Sequence, residues 1–188
     1  MIPINSFTSI SRSNSLIVSL ETLKEQAKIQ NDKEDGLIIN YAKTAERAVE
    51  NYINAIIIES TMEAYLQSFC NEEYLEIKNW STDAISSITY KNKAGTPVTL
   101  TLNTDFQFTK HSFWPTIRML KNFETDDSLE AIKITFTTAT VSDHLINQAI
   151  QGMVAQMIKY REDYFNTGYV MPVHFQHLLQ PLRRWSFR

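Results

Sequence analysis

Glycine is scarce in this chain, with 4 among 188 residues. Phosphate-cradling loops need clustered glycines so that backbone can approach the anion, and neither the P-loop nor the dinucleotide fingerprint can be written anywhere here. Nucleotide-dependent enzymes of those folds are therefore excluded. One cysteine, Cys70, leaves no intrachain disulfide and fits a reducing compartment. No apolar run approaches the roughly 18 residues that span a bilayer, and residues 1–15 lack the basic start and apolar core of a signal peptide. Neither membrane anchoring nor export by that route is expected. Positive charge is not in excess either: 18 Lys and Arg face 21 Asp and Glu, for a net charge of -3. That balance gives no global drive toward nucleic acid.

What is present favours packed structure. Hydrophobic residues make up 43% and charged residues 21%, close to a soluble globular average. The length suits one core with appendages. Residues 1–15 hold five Ser and no sustained period, and read as an extended arm carrying Ile2, Ile4, Phe7 and Ile10. Ser19 is placed to cap a short helix containing Leu20, Leu23 and Ala27. After NDKEDG, with Asp32, Glu34 and Asp35 as candidate caps, a long helix is expected from about residue 34 to 56. Its apolar stripe runs through Leu37, Ile38, Tyr41, Ala42, Ala45, Val49, Tyr52 and Ile53, with Lys43, Glu46, Arg47 and Glu50 assigned to the solvent face.

The period then changes to two. Ile88 and Tyr90 alternate with Ser87 and Thr89, KNKAG supplies turn residues, and Val98, Leu100 and Leu102 alternate with threonines, which together predict a β-hairpin. Ile132, Ile134 and Phe136 predict a further strand, while MEAYLQSF and YLEIK carry weaker strand patterns and Pro115 a break. A second long helix follows from Ser142 or Asp143 to about Tyr164, with Ile146, Ala149, Ile150, Met153, Val154 and Met157 on one face. Met at that spacing reads as adaptable core filling. The end, residues 167–188, is apolar and basic but interrupted by Pro172 and Pro181. The expected fold is α+β: a helical bundle built on two long helices (residues 16–166) with an inserted β-hairpin or small antiparallel sheet at about 60–140, and extended arms at both ends.

Reacting groups are thinly placed. His111, His144, His174 and His177 include one close pair, the last two, without the helical i, i+4 spacing and nearby Cys or Glu of a metal site. Cys70 has no His within twenty residues, and no G-x-S-x-G elbow exists. The carboxylates Asp32/Glu34/Asp35 read as helix caps, and Glu72/Glu73 and Glu124/Asp126/Asp127 as solvated turns. No cofactor, metal or catalytic residue is expected. Arg183-Arg184-Trp185 stands out instead. Three arginines with aromatics are a thin footprint for DNA, and Arg and Trp are preferred anchors of protein interfaces.

Taken in order, SLETLKEQAKI, DGLIINYAKTAERAVENYINAII, SSITYKNKAG with VTLTL and DFQF, AIKITFTTAT, LINQAIQGMVAQMIKYRED and LLQPLRR resemble the head-tail connector (adaptor) family of tailed phages and gene-transfer particles. The likeness covers most of residues 16–188. It departs where Asn54-Ala55-Ile56 and Thr140-Val141 replace family glycine motifs, and residues 109–127 form a longer loop. The resemblance implies a non-enzymatic virion protein at the head-tail junction, assembled in the host bacterial cytoplasm as a ring of about twelve copies. Its implied partners are the portal and a head-closure (stopper) or tail protein, with DNA passing the lumen without sequence-specific binding. It also implies a portal anchor made of Leu178, Leu179, Pro181, Leu182, Arg183, Arg184 and Trp185. Another neck or tail-completion protein and a DNA-binding accessory protein are the alternatives, the latter marked by salt-sensitive duplex binding.

Overall fold

The computed structural model describes residues 6–69, 74–77, 81–110, 114–126, 128–160 and 171–183. It is α+β, and the chain divides into two compact units, each assembled from separated stretches. Residues 1–13 and 58–140 form a β unit; residues 14–57 and 141–188 form a helical unit.

The β unit contains β1 (Ser6–Arg12), β2 (Ser60–Leu66), β3 (Tyr74–Glu76), β4 (Thr82–Lys91), β5 (Pro97–Leu100), β6 (Phe106–Thr109), β7 (Thr116–Met119) and β8 (Ile132–Thr138). They pair antiparallel throughout as a five-stranded sheet, β1-β2-β8-β4-β5, and a three-stranded sheet, β3-β7-β6. Alternation along β2 and β8 fixes the register, because a one-residue slip would turn every apolar side chain to the wrong face. Met62 faces Phe136, Ala64 faces Ile134 and Leu66 faces Ile132, all buried. Ile88 of β4 continues the Ala64–Ile134 rung. At one end the buried rung is polar, and it is satisfied: Thr138 Oγ1 donates to Ile58 O at 2.9 Å and accepts from Ser60 N at 2.9 Å. The β4–β5 turn uses Asn92, whose Oδ1 accepts from Ala94 N and Thr96 N, both at 3.0 Å, with Gly95 at φ 75°.

These strands outnumber the hairpin and single strand read most clearly from the sequence. β1 lies in the segment read as an arm, pairing with β2 through a register irregularity between Ser9 and Ser11. β6 and β7 lie in a region with little strand signal, since four residues are too few to display a period.

The helical unit contains α1 (Leu20–Ala27), α2 (Asp35–Ile53), α3 (His144–Lys159) and α4 (Val173–Leu179), followed by a 3₁₀ turn at Gln180–Leu182. Ser19 caps α1 by accepting from Thr22 N, and Asp143 caps α3 by accepting from Leu145 N at 2.8 Å. Lys28 and Asn54 take the left-handed conformation that ends α1 and α2. The acids before α2 do not cap it as expected. Asp32 and Asp35 instead hold Lys24 Nζ of α1 at 2.6 and 2.8 Å, a charge-assisted pair that outcompetes a neutral N–H. α3 packs against α1, α2 and α4. Its buried face is Ile146, Ala149, Ile150, Met153, Val154 and Met157. The expected end near Tyr164 lies outside the described residues. Among the described residues no helix is long and apolar enough to cross a membrane.

One face of α2 differs from the sequence expectation. Glu46 and Glu50, assigned to solvent, are 1% and 6% exposed. They follow Ala42 at successive i+4 steps, at the margin of the apolar stripe, and each has backbone to hold. Glu46 Oε1 accepts from Ile17 N at 2.9 Å, and Glu50 Oε1 from Ile57 N at 3.0 Å.

Candidate docking site

The C-terminal segment is built on a short helix with two faces. Pro172 is extended at φ -59°, ψ 146° and starts α4, the position where a missing N–H costs nothing. Phe175 and Leu179, four residues apart, are buried. Val173 is 63% exposed, and His174, His177 and Pro181 are exposed, while Leu178, Leu182 and Arg183 are half-buried. Leu179 therefore departs from the expectation of a side chain free for a partner: it is wholly buried in its own subunit and roots the segment there. Arg184 and Trp185 lie outside the described residues.

Two contacts hold this segment. Gly152 of α3 forms a notch for the Phe175 ring, such that a Cβ there would stand 2.6 Å from Phe175 Cε1. The Arg183 guanidinium lies over the Tyr52 ring of α2, 5.0 Å from its centroid, a cation–π contact worth about 0.5–1 kcal/mol when exposed. Beside α4 runs a groove of about 420 Å³ lined by Gln26, Gln148, Gln151, Gly152, His174, Phe175 and Leu178. Its polar groups are carboxamides and one imidazole; His174 Nε2 is 3.3 Å from Gln156 Nε2. Neither Gly152 nor Tyr52 was distinguishable as a site residue from the sequence. A helical glycine with a buried aromatic elsewhere is a signal only once the helices are docked.

The remaining candidates for chemistry are accounted for by ordinary partners. Among the described residues no three His, Cys, Asp or Glu side chains gather as a metal site. Asp32 is held below the usual carboxylate range by its hydrogen bond from Lys24, Glu124 by Lys93, and Asp126 by Ser128. Cys70, Glu72, Glu73, His111 and Asp127 lie outside the described residues. Among the described residues, the C-terminal segment offers contact area and a groove lined by carboxamides and one imidazole.

Residues 17–109 match the family model of the phage gp6-like head-tail connector proteins. By fold, the chain is similar to solved chains in the neck of an empty GTA particle computed with C6 symmetry (TM-score 0.76, 13% identity) and in the virion of a native gene transfer agent (GTA) particle (TM-score 0.75, 13% identity). A third, in the neck of a native GTA particle computed with C12 symmetry, gives a TM-score of 0.69 at 14% identity. Each likeness covers 97% of both chains. No curated protein matches in sequence. Residues 17–109, just under half of the chain, thus carry the pattern of the phage head-tail connector family.

Proposed function

We propose that this protein is a structural subunit of a virion's head-tail junction. It forms a closed ring of about twelve copies, joins the portal to a stopper or tail protein, and surrounds DNA that passes without sequence-specific binding. The observation that carries this reading is the connector-family match across residues 17–109. Fold similarity to neck chains over nearly the whole length supports it. The two long helices α2 and α3 serve as the frame of a bundle, and the work is geometric: interfaces and a central opening, with no catalysed reaction. Assembly takes place in the host bacterial cytoplasm.

Residues 167–188 are the portal anchor in this reading. Leu178, Pro181 and Leu182 present apolar surface, Leu179 roots the helix, and Arg183 is held flat on Tyr52, with Arg184 and Trp185 completing the contact. Native mass spectrometry of the protein alone and mixed with its portal tests both parts. A ring mass, and a ring–portal mass, are expected. A Leu178→Asp/Leu182→Asp variant leaves buried Leu179 in place and is expected to weaken portal capture at least about tenfold, as loss of interface anchors does. A protein that stays monomeric with portal present overturns the ring; unchanged capture by the variant overturns the anchor.

A further inference from the structure

The C-terminal segment changes backbone conformation at one residue. Pro172 starts α4 and Pro181 sits in the 3₁₀ turn that follows. At Arg183 the chain leaves that turn extended, φ -67° and ψ 125°, while the Arg183 N–H still donates to Gln180 O at 3.2 Å. The direction of the chain beyond is therefore set at Arg183, and its side chain is seated: the guanidinium lies 5.0 Å from the centroid of the half-buried Tyr52 ring. Tyr52 stands in the last turn of α2, a turn with no basic residue of its own. The negative end of a helix dipole favours a cation there, so ring and helix end draw the same charge to one place. Further back, Phe175 fills the Gly152 notch and Leu179 is buried. Apolar burial holds the segment at its root, and one ring holds it at its end.

We infer that Tyr52 is a positioning residue for portal binding, acting through Arg183 without touching the partner. The inference rests on the anchor reading above and deepens it. A partner that needs the chain to leave the 3₁₀ turn in one direction binds only the fraction of subunits in which Arg183 is seated, and its apparent affinity falls with that fraction. A cation–π contact at a partly exposed site is worth a factor of about 2–5, which sets the scale of what Tyr52 contributes. Binding does not require the seat to be given up. A guanidinium offers a ring its face and keeps its five N–H donors in its own plane, so it can stay on Tyr52 and still take a partner's carboxylate. A mere terminal staple would use the same contact for stability alone. Two features favour positioning instead: Phe175 and Leu179 already fasten the segment to the fold, and the seat lies at the residue where the turn gives way to extended chain.

The test measures the association rate of the full-length protein, as rings, with immobilised portal. Tyr52→Leu is expected to lower that rate about two- to fivefold with the ring mass unchanged, and Tyr52→Phe, which keeps an aromatic face, to restore it. Arg183→Gln leaves α2 intact and is expected to lower the rate at least as far. Tyr52→Leu should add nothing in that background, because residues that act as one unit are not additive. A normal rate for Arg183→Gln overturns the inference whether or not Tyr52→Leu forms rings. So does a rate untouched by Tyr52→Leu, which leaves a staple, or a faster one, which makes the seat a latch that binding must open. An additive loss in the double variant also overturns it, since Tyr52 would then meet the portal itself, as does failure of Tyr52→Phe to restore the rate. Leu178→Asp/Leu182→Asp is the control: normal association by that variant strikes the anchor reading itself, and the inference with it.

Discussion

The β unit and the helical unit meet the same difficulty, backbone N–H groups left without a regular partner, by different means. In the β unit the ladders run between distant stretches: Ser60 pairs with Thr138, and where the sheet ends a buried hydroxyl, Thr138 Oγ1, closes the loose groups around Ile58 and Ser60. Charged groups there stay at the surface as pairs, such as Lys121 with Asp105 and Lys93 with Glu124. In the helical unit the chain enters and leaves α2 through segments with no ladder, and two buried carboxylates take the N–H groups of Ile17 and Ile57. A hydroxyl suffices where a strand edge already fixes geometry. An irregular segment needs a longer, stronger acceptor, and a hydrogen bond to a charged group is worth about 1.5–3 kcal/mol.

The contrast breaks most sharply if the central strand fails. Phe136 of β8 is fully buried between β2 and β4. Phe136→Ala is expected to cost about 3–5 kcal/mol, read by hydrogen exchange as loss of protection in β2, β4 and β8 with α2 and α3 retained. Equal loss in both units would show one cooperative body and end the distinction. A smaller effect is expected in the helical unit at the Gly152 notch. Gly152→Ala gains about 1 kcal/mol of helix propensity but overpacks against Phe175, which typically costs about 1–3 kcal/mol. The substitution should therefore be neutral to destabilising alone and stabilising in a Phe175→Ala background, a sign change that a denaturant double-mutant cycle detects. The same sign in both backgrounds would mean that the ring does not sit in the notch.

How far each unit was legible from sequence follows from the length of its elements. α2 and α3 run 19 and 16 residues, enough turns for a 3.6-residue period to show itself, and the seven residues of β8 display a clean alternation. β6 and β7 have four residues each, and β1 is rich in Ser, so pairing with a distant strand decided their state where local pattern could not. Glu46 and Glu50 were misplaced for a related reason. Helical period marks them as marginal, and only the backbone of Ile17 and Ile57 draws them inside. The docking segment was legible as amphipathic and proline-punctuated. Which of its leucines faces inward was not, because that depends on Gly152 and Tyr52, which lie far from it in sequence.

Acid should separate the units further, by the smallest of these effects. In the β unit, Glu63 is held below the usual carboxylate range by the Tyr65 hydroxyl, then by Lys133; Asp105 by Lys121; Glu124 by Lys93; and Asp126 by Ser128. In the helical unit Asp32 is lowered by Lys24. A carboxylate whose folded pKa lies below its unfolded value, about 4, stabilises the fold above that value and loses its contribution as pH falls through the folded pKa. The β unit therefore has more to lose between neutral pH and about pH 3. The groups are solvent-accessible, so the loss is modest, largest at low ionic strength and reduced by salt. The raised pKa of Lys24, set first by its bond to Asp32, acts at the other end of the scale: its contribution is present below the ordinary lysine value, about 10.4, and disappears only as pH rises through the folded one. Hydrogen exchange at neutral and acid pH, in low and in high salt, is expected to show protection falling first in β2 and β8, with the gap between the units narrowing as salt is added. Earlier loss in α2 would mean that the surface pairs of the β unit contribute little to the acid response.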